Sequence, residues 1–127
     1  MDVKGLVWLG TRTTAFGEMR AFLARLTGVE PWVDEPGLAV FDLPNGDRLE
    51  VLGPEGDDPP RREAPLVGLL VDDVDGARRE LEAEGVEFVG PVHDGGGGNR
   101  WAHFRAPDGH LYELTSRPDH PAHARGA

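Results

Sequence analysis

The feature that most limits how this chain can fold is an internal repeat. Phe41 to Glu50 reads FDLPNGDRLE and Phe104 to Glu113 reads FRAPDGHLYE, so both fit the pattern F-x-x-P-[ND]-G-x-x-x-E. Upstream of each, a helical stretch ends in the same three letters, Gly28-Val29-Glu30 and Gly85-Val86-Glu87. The separation is 63 residues at the P-[ND]-G segments and 57 at the helix ends, so the copies differ by a few loop residues. Two matches in the same order mark a duplicated unit.

Each copy has the element order β-α-β-β-β. In the first, Leu6 to Thr13 alternate as a strand, with Val7, Leu9 and Thr11 on one face and Trp8, Gly10 and Arg12 on the other. A helix is predicted over 15–27, with Phe16, Met19, Phe22, Leu23 and Leu26 as its apolar stripe, Thr14 as its cap and Gly28 just past its end. Short strands follow near Trp32 and Val33, over Leu38 to Leu43, and from Arg48 to Leu52 after the Pro44-Asn45-Gly46 turn. The second copy repeats this order: a strand from Leu66 to Val71, then a helix capped by Asp73, with Val74, Ala77 and Leu81 inward and Gly85 at its end. Its remaining strands are predicted near Glu87 to Val92, Arg100 to Arg105 and His110 to Thr115. The reading is one domain over 1–127: module 1 about 5–53, a polar, proline-rich linker 54–65, module 2 about 66–116, and a tail 117–127 expected to be mobile or loosely docked.

The chain's 127 residues suffice for one core and not for two independent domains. A net charge of −10 argues against nucleic acid as a partner, because phosphate binding needs a basic footprint. With no cysteine, disulfides, thiolate zinc sites and cysteine nucleophiles are excluded. No apolar run approaches the roughly 18 residues that span a membrane, and no signal-peptide pattern opens the sequence. A cytoplasmic protein is the expectation.

A duplicated β-α-β-β-β unit whose P-[ND]-G hairpin leads into a glutamate-bearing strand resembles the vicinal oxygen chelate superfamily, over roughly residues 5 to 116. That group holds glyoxalases, extradiol dioxygenases, epimerases, fosfomycin-modifying enzymes and bleomycin-resistance proteins. The resemblance implies an α+β fold in which two tandem βαβββ modules form a curled mixed sheet around a cavity, with the helices outside. It also implies that metal-dependent members draw one ligand from each first strand, usually histidine, and one from each last strand, usually glutamate. Here the last-strand positions are Glu50 and Glu113, whereas the first-strand positions are Trp8 and Leu66. Both glutamates are present and both histidines are missing.

Strand alternation puts Trp101, His103 and Arg105 on the same face as Glu113, with Phe104 under the helix; Val40 and Asp42 are their first-copy counterparts. The expected ligand-binding residues are therefore Trp8, Arg12, Glu50, Leu66, Gly68, Trp101, His103, Arg105 and Glu113, a mixture suited to a small-molecule pocket. Glu50, Glu113 and His103 are the candidate catalytic residues, and together they could hold a divalent ion. The competing reading pairs Glu113 with Arg105 or Arg12, because a buried carboxylate must be paired or protonated. Trp8 and Trp101 are either core aromatics or stacking platforms. His93 precedes the Gly95–Gly98 run, read as a flexible loop or pocket lid; His110, His120 and His123 carry no assigned role.

Two functions stay open. One is a metal-free binding protein for a small, aromatic or cationic molecule, similar to the bleomycin-resistance branch, with no cofactor. The other is a lyase, isomerase or dioxygenase using a divalent metal. No nucleic-acid or membrane partner is expected, and a homodimer is, with or without exchange of modules between chains.

Overall fold

The computed structural model describes residues 1–56 and 64–123, so most of the expected linker, including Pro59-Pro60, lies outside the described residues, as does the chain after His123. The duplicated unit folds as the repeat predicts, into an α+β structure. Module 1 contains β1 (Leu6–Arg12), α1 (Phe16–Thr27), β2 (Val33–Glu35), β3 (Leu38–Asp42) and β4 (Arg48–Leu52). Module 2 contains β5 (Leu66–Leu70), α2 (Val74–Ala83), β6 (Glu87–Gly96), β7 (Asn99–Arg105) and β8 (Leu111–Ser116). By packing, Trp8–Leu66 forms one compact unit and Met1–Val7 with the chain from Val67 onward forms the other.

Within the first unit the strands lie in the order β2-β3-β4-β1, and β1 runs parallel to β4 while β3 runs antiparallel to it. The second repeats the plan as β5-β8-β7-β6, again with the first strand parallel and the penultimate strand antiparallel to the last. The hairpin of each P-[ND]-G segment sets this antiparallel register. Alternation along the strands then sends one set of side chains to the helix and the other away from it. Phe41, Ala39 and Val51 are fully buried and pack with Phe16, Met19 and Leu23 of α1. In module 2, Val71, Val74, Ala77, Ala102 and Leu114 form the corresponding core.

Four expectations are corrected. Thr14 does not cap α1: the cap position is Ala15, and the Thr13 hydroxyl accepts its N–H at 3.0 Å. Phe22 and Leu26 are exposed, because Phe22 lies about 100° around the helix from Leu23 and off the packed stripe. Of Gly95–Gly98, only Gly97-Gly98 form the loop between strands, as a two-residue turn. Strand β6 continues to Gly96 and the glycines turn directly into β7, with Gly96, Gly97 and Gly98 all at positive φ. The tail is docked as far as His123: Arg117, His120 and Ala122 are buried, and Lys4 Nζ donates to the His123 carbonyl at 2.5 Å.

Asp73 caps α2 as expected, its carboxylate accepting from Gly76 N–H at 3.0 Å. In the same turn, Arg100 donates to both Asp75 oxygens at 2.9 and 3.0 Å, and this holds the Asp75 carboxyl below the usual carboxylate range. A carboxyl whose folded pKa lies below its unfolded one stabilises the fold at neutral pH, and that contribution is lost as pH falls through the folded value. Asp75→Asn is therefore expected to lower stability at neutral pH and to flatten its decline on acidification. Urea unfolding across the acid range checks this, and equal slopes for variant and wild type would refute it. Phe41→Ala empties the centre of the α1 core and is expected to cost about 3–5 kcal/mol in the same assay.

Candidate functional site

In module 1 the register sets Gly10 and Val40 on either side of Glu50, and Trp8 and Asp42 on either side of Arg48. Because Leu49 and Val51 pack on α1, these residues share the opposite face of the sheet. The Trp8 indole N–H donates to the Glu50 carboxylate. The ring lies across Gly10, where any β-carbon would overlap its outer carbons, so the indole takes this position only over glycine. Arg48 donates to both oxygens of Asp42 at 2.7 and 3.1 Å, and its guanidinium covers the exposed Trp32 ring at 5.1 Å. Arg12 donates to the carbonyls of Gly53 and Glu55, anchoring the chain as it leaves β4.

In module 2 the corresponding register sets Gly68 and His103 on either side of Glu113. The match of Gly10 with Gly68 and of Glu50 with Glu113 makes Trp8 and Leu66 equivalent first-strand positions. Leu66 is buried and has no polar group to offer the glutamate. Here the penultimate strand supplies the partner instead: His103 Nε2 lies 2.9 Å from Glu113 Oε1, with the two residues only 2% and 5% exposed. Arg105 donates to the Gly109 carbonyl at 3.0 Å and lies 3.8 Å from Glu87.

Two of the expected residues acquire a neighbour that the sequence did not reveal. His93 lies opposite Trp101 on β6 and stacks on its ring, 5.7 Å between centroids and 16° from parallel. Its imidazole also stands 6.1 Å from that of His103. The Trp101 ring packs on Gly95, where a β-carbon would come within 2.7 Å of it. Alternation is kept across the bulge at Gly90-Pro91: Phe88 and Val92 pack toward the helix, and Val89 and His93 take the other face. His93 escapes because the sequence ends the predicted strand at Val92, whereas β6 runs on to Gly96. In module 1, Arg48 and Trp32 likewise join the face without having been named as binding residues.

A family model of the Glyoxalase/Bleomycin resistance protein/Dioxygenase superfamily matches residues 5–114. The chain belongs to that superfamily. No curated protein matches it in sequence. Among solved structures, the Mn(II)-bound glyoxalase from Novosphingobium aromaticivorans is similar at 24% identity and TM-score 0.68, over 90% of this chain and 39% of that one. Methylmalonyl-CoA epimerase from Mycobacterium tuberculosis is similar at 19% identity and TM-score 0.69, covering 90% of this chain and 88% of that one. The NAD-dependent benzaldehyde dehydrogenase from Legionella pneumophila is similar at 17% identity and TM-score 0.66, covering 86% and 96%. Three different activities at comparable likeness support the fold and leave the reaction to the site.

A divalent ion bound by the ligand set that the resemblance implies needs lone pairs at the first-strand positions. Trp8 has only a donor N–H there and Leu66 has hydrocarbon, so the residues present do not fit the four-ligand set. Among the described residues, no three of the side chains His, Asp and Glu gather closely enough to hold an ion.

The glycine beneath Trp8 gives a direct test of this arrangement. Gly10→Ala forces the indole off its seat and away from Glu50, at an expected cost of about 1–3 kcal/mol. With Trp32 and Trp101 replaced by Phe, the remaining Trp8 emission is expected to shift to longer wavelength in the Gly10→Ala variant. Unchanged emission and stability would contradict the packing described.

Proposed function

We propose that this member of the superfamily binds a small organic molecule, planar or cationic, through side chains on the sheet faces turned away from the helices. In this reading it does so without a divalent ion held by the family's ligand set. The hydrogen bond from Trp8 to Glu50 carries the proposal. It puts a donor where the resemblance calls for a metal ligand, so that a neutral N–H stabilises the carboxylate that an ion would otherwise neutralise. Trp8 and Trp101 give these faces aromatic character, and the net charge of −10 attracts a cationic ligand. A homodimer belongs to the same reading; a single-chain mass in light scattering would refute it.

The test uses the purified protein, with metal content measured directly and thermal unfolding followed with Ni²⁺, Mn²⁺, Fe²⁺ and Zn²⁺ added. No metal-specific shift is expected. Methylene blue, a planar aromatic cation, is expected to quench tryptophan emission saturably, and more weakly in Glu50→Gln. A metal-specific rise in Tm that disappears in both Glu50→Ala and Glu113→Ala would overturn the proposal in favour of a metal-dependent lyase, isomerase or dioxygenase.

A further inference from the structure

The two modules serve as controls for one another, and they differ most in the hairpin of β6 and β7. From Glu30 to Phe41 the first copy takes 11 steps along the chain, whereas from Glu87 to Phe104 the second takes 17. The additional residues build the bulge at Gly90-Pro91, the longer β6 and the glycine turn. They also bring His93 onto the face that carries His103 and Glu113.

The fold demands a partner for the glutamate but neither the extension nor an imidazole as that partner. At the position of His103 the first module has Val40, and its glutamate is served by the Trp8 indole instead. Only the second copy meets the requirement with a group that can carry a proton, and only there does the extension add another imidazole beside it. Exposure rises outward through the set: Glu113 and His103 are buried, and His93 is half-buried. The Trp101 ring, itself seated on Gly95, fixes the plane of His93. The 6.1 Å between the imidazole centroids is short enough for one water or a small ring rotation to join them.

We propose that His93 is a catalytic base for a planar heteroaromatic substrate that stacks beside Trp101, with His103 and Glu113 as positioning residues behind it. The inference goes beyond ligand binding and rests on that reading only in needing a small molecule to reach this face. The bond between Glu113 and His103 Nε2 fixes the orientation of the His103 ring, and that ring in turn stands behind His93.

Elimination of 5-nitrobenzisoxazole tests this without a metal or cofactor. The base takes the proton from C3, the ring N–O bond breaks with its electron pair going to oxygen, and a nitrile and a phenolate form. The phenolate is read by its colour, and the protonated base returns its proton to solvent. The wild-type protein is expected to accelerate the reaction over buffer. His93→Ala is expected to lose on the order of 10²-fold in kcat/KM, and added imidazole to restore part of it. His103→Gln keeps an N–H donor beside the buried Glu113 and removes the ring, so it is expected to keep its Tm and its KM while kcat falls.

Binding is followed separately by calorimetry with 5-nitrobenzotriazole, a planar analogue with no bond to break. Wild-type protein that binds the analogue but does not accelerate elimination overturns the base and leaves the binding reading standing. Protein that does neither overturns both. Full activity in His93→Ala also overturns the proposal, and an unchanged kcat in His103→Gln removes the positioning role.

Discussion

A carboxylate on the sheet face away from the helix is the constraint on which the rest of this structure turns. Once the P-[ND]-G hairpin sets the register, alternation leaves Glu50 and Glu113 no other direction, because Val51 and Leu114 must meet the helices. A carboxylate drawn out of water then needs a donor within reach. The first module supplies it from β1, through the Trp8 indole, and the second from β7, through the His103 imidazole. One requirement is met twice from opposite neighbouring strands, and most of the asymmetry between the two faces follows from that difference.

Much of the fold was legible because repeat, hairpin and alternation all bear on the same strands. The P-[ND]-G segments fixed β3, β4, β7 and β8, and apolar periodicity fixed the packed faces of both helices. What escaped was local. Phe22 and Leu26 counted as apolar without lying on the packed stripe of α1. Beyond the bulge at Gly90-Pro91, β6 runs on to Gly96 past its expected end at Val92, so His93 read as part of a loop. The partner of Glu113 escaped for a different reason. Sequence alone offered Arg12 and Arg105 as cations and passed over His103, the cross-strand neighbour that lies within hydrogen-bond distance of the carboxylate. The first-strand comparison was fully legible, since Trp8 and Leu66 fall at equivalent register positions in the structure as in the sequence.

Membership in a superfamily whose relatives include a glyoxalase and an epimerase fixes the scaffold more firmly than the chemistry. Duplication explains how that latitude arises. A module needs its hairpin, its helix and its apolar stripe to fold, and those are what the two copies share. The remaining positions, 8 and 66 on the first strands, 40 and 103 on the penultimate ones, differ in polarity between copies. Each copy can therefore change its face while the other continues to satisfy the fold.

The glycine beneath Trp8 ties two positions together. In its seat the indole leaves no room for a side chain at position 10, so these two residues of one strand face pack as a unit. Module 2 carries glycine at the equivalent position 68 beside Leu66, so the glycine alone does not dictate an aromatic neighbour. The dependence runs one way: a side chain added at position 10 must displace the residue at position 8, whereas a change at position 8 leaves Gly10 where it is.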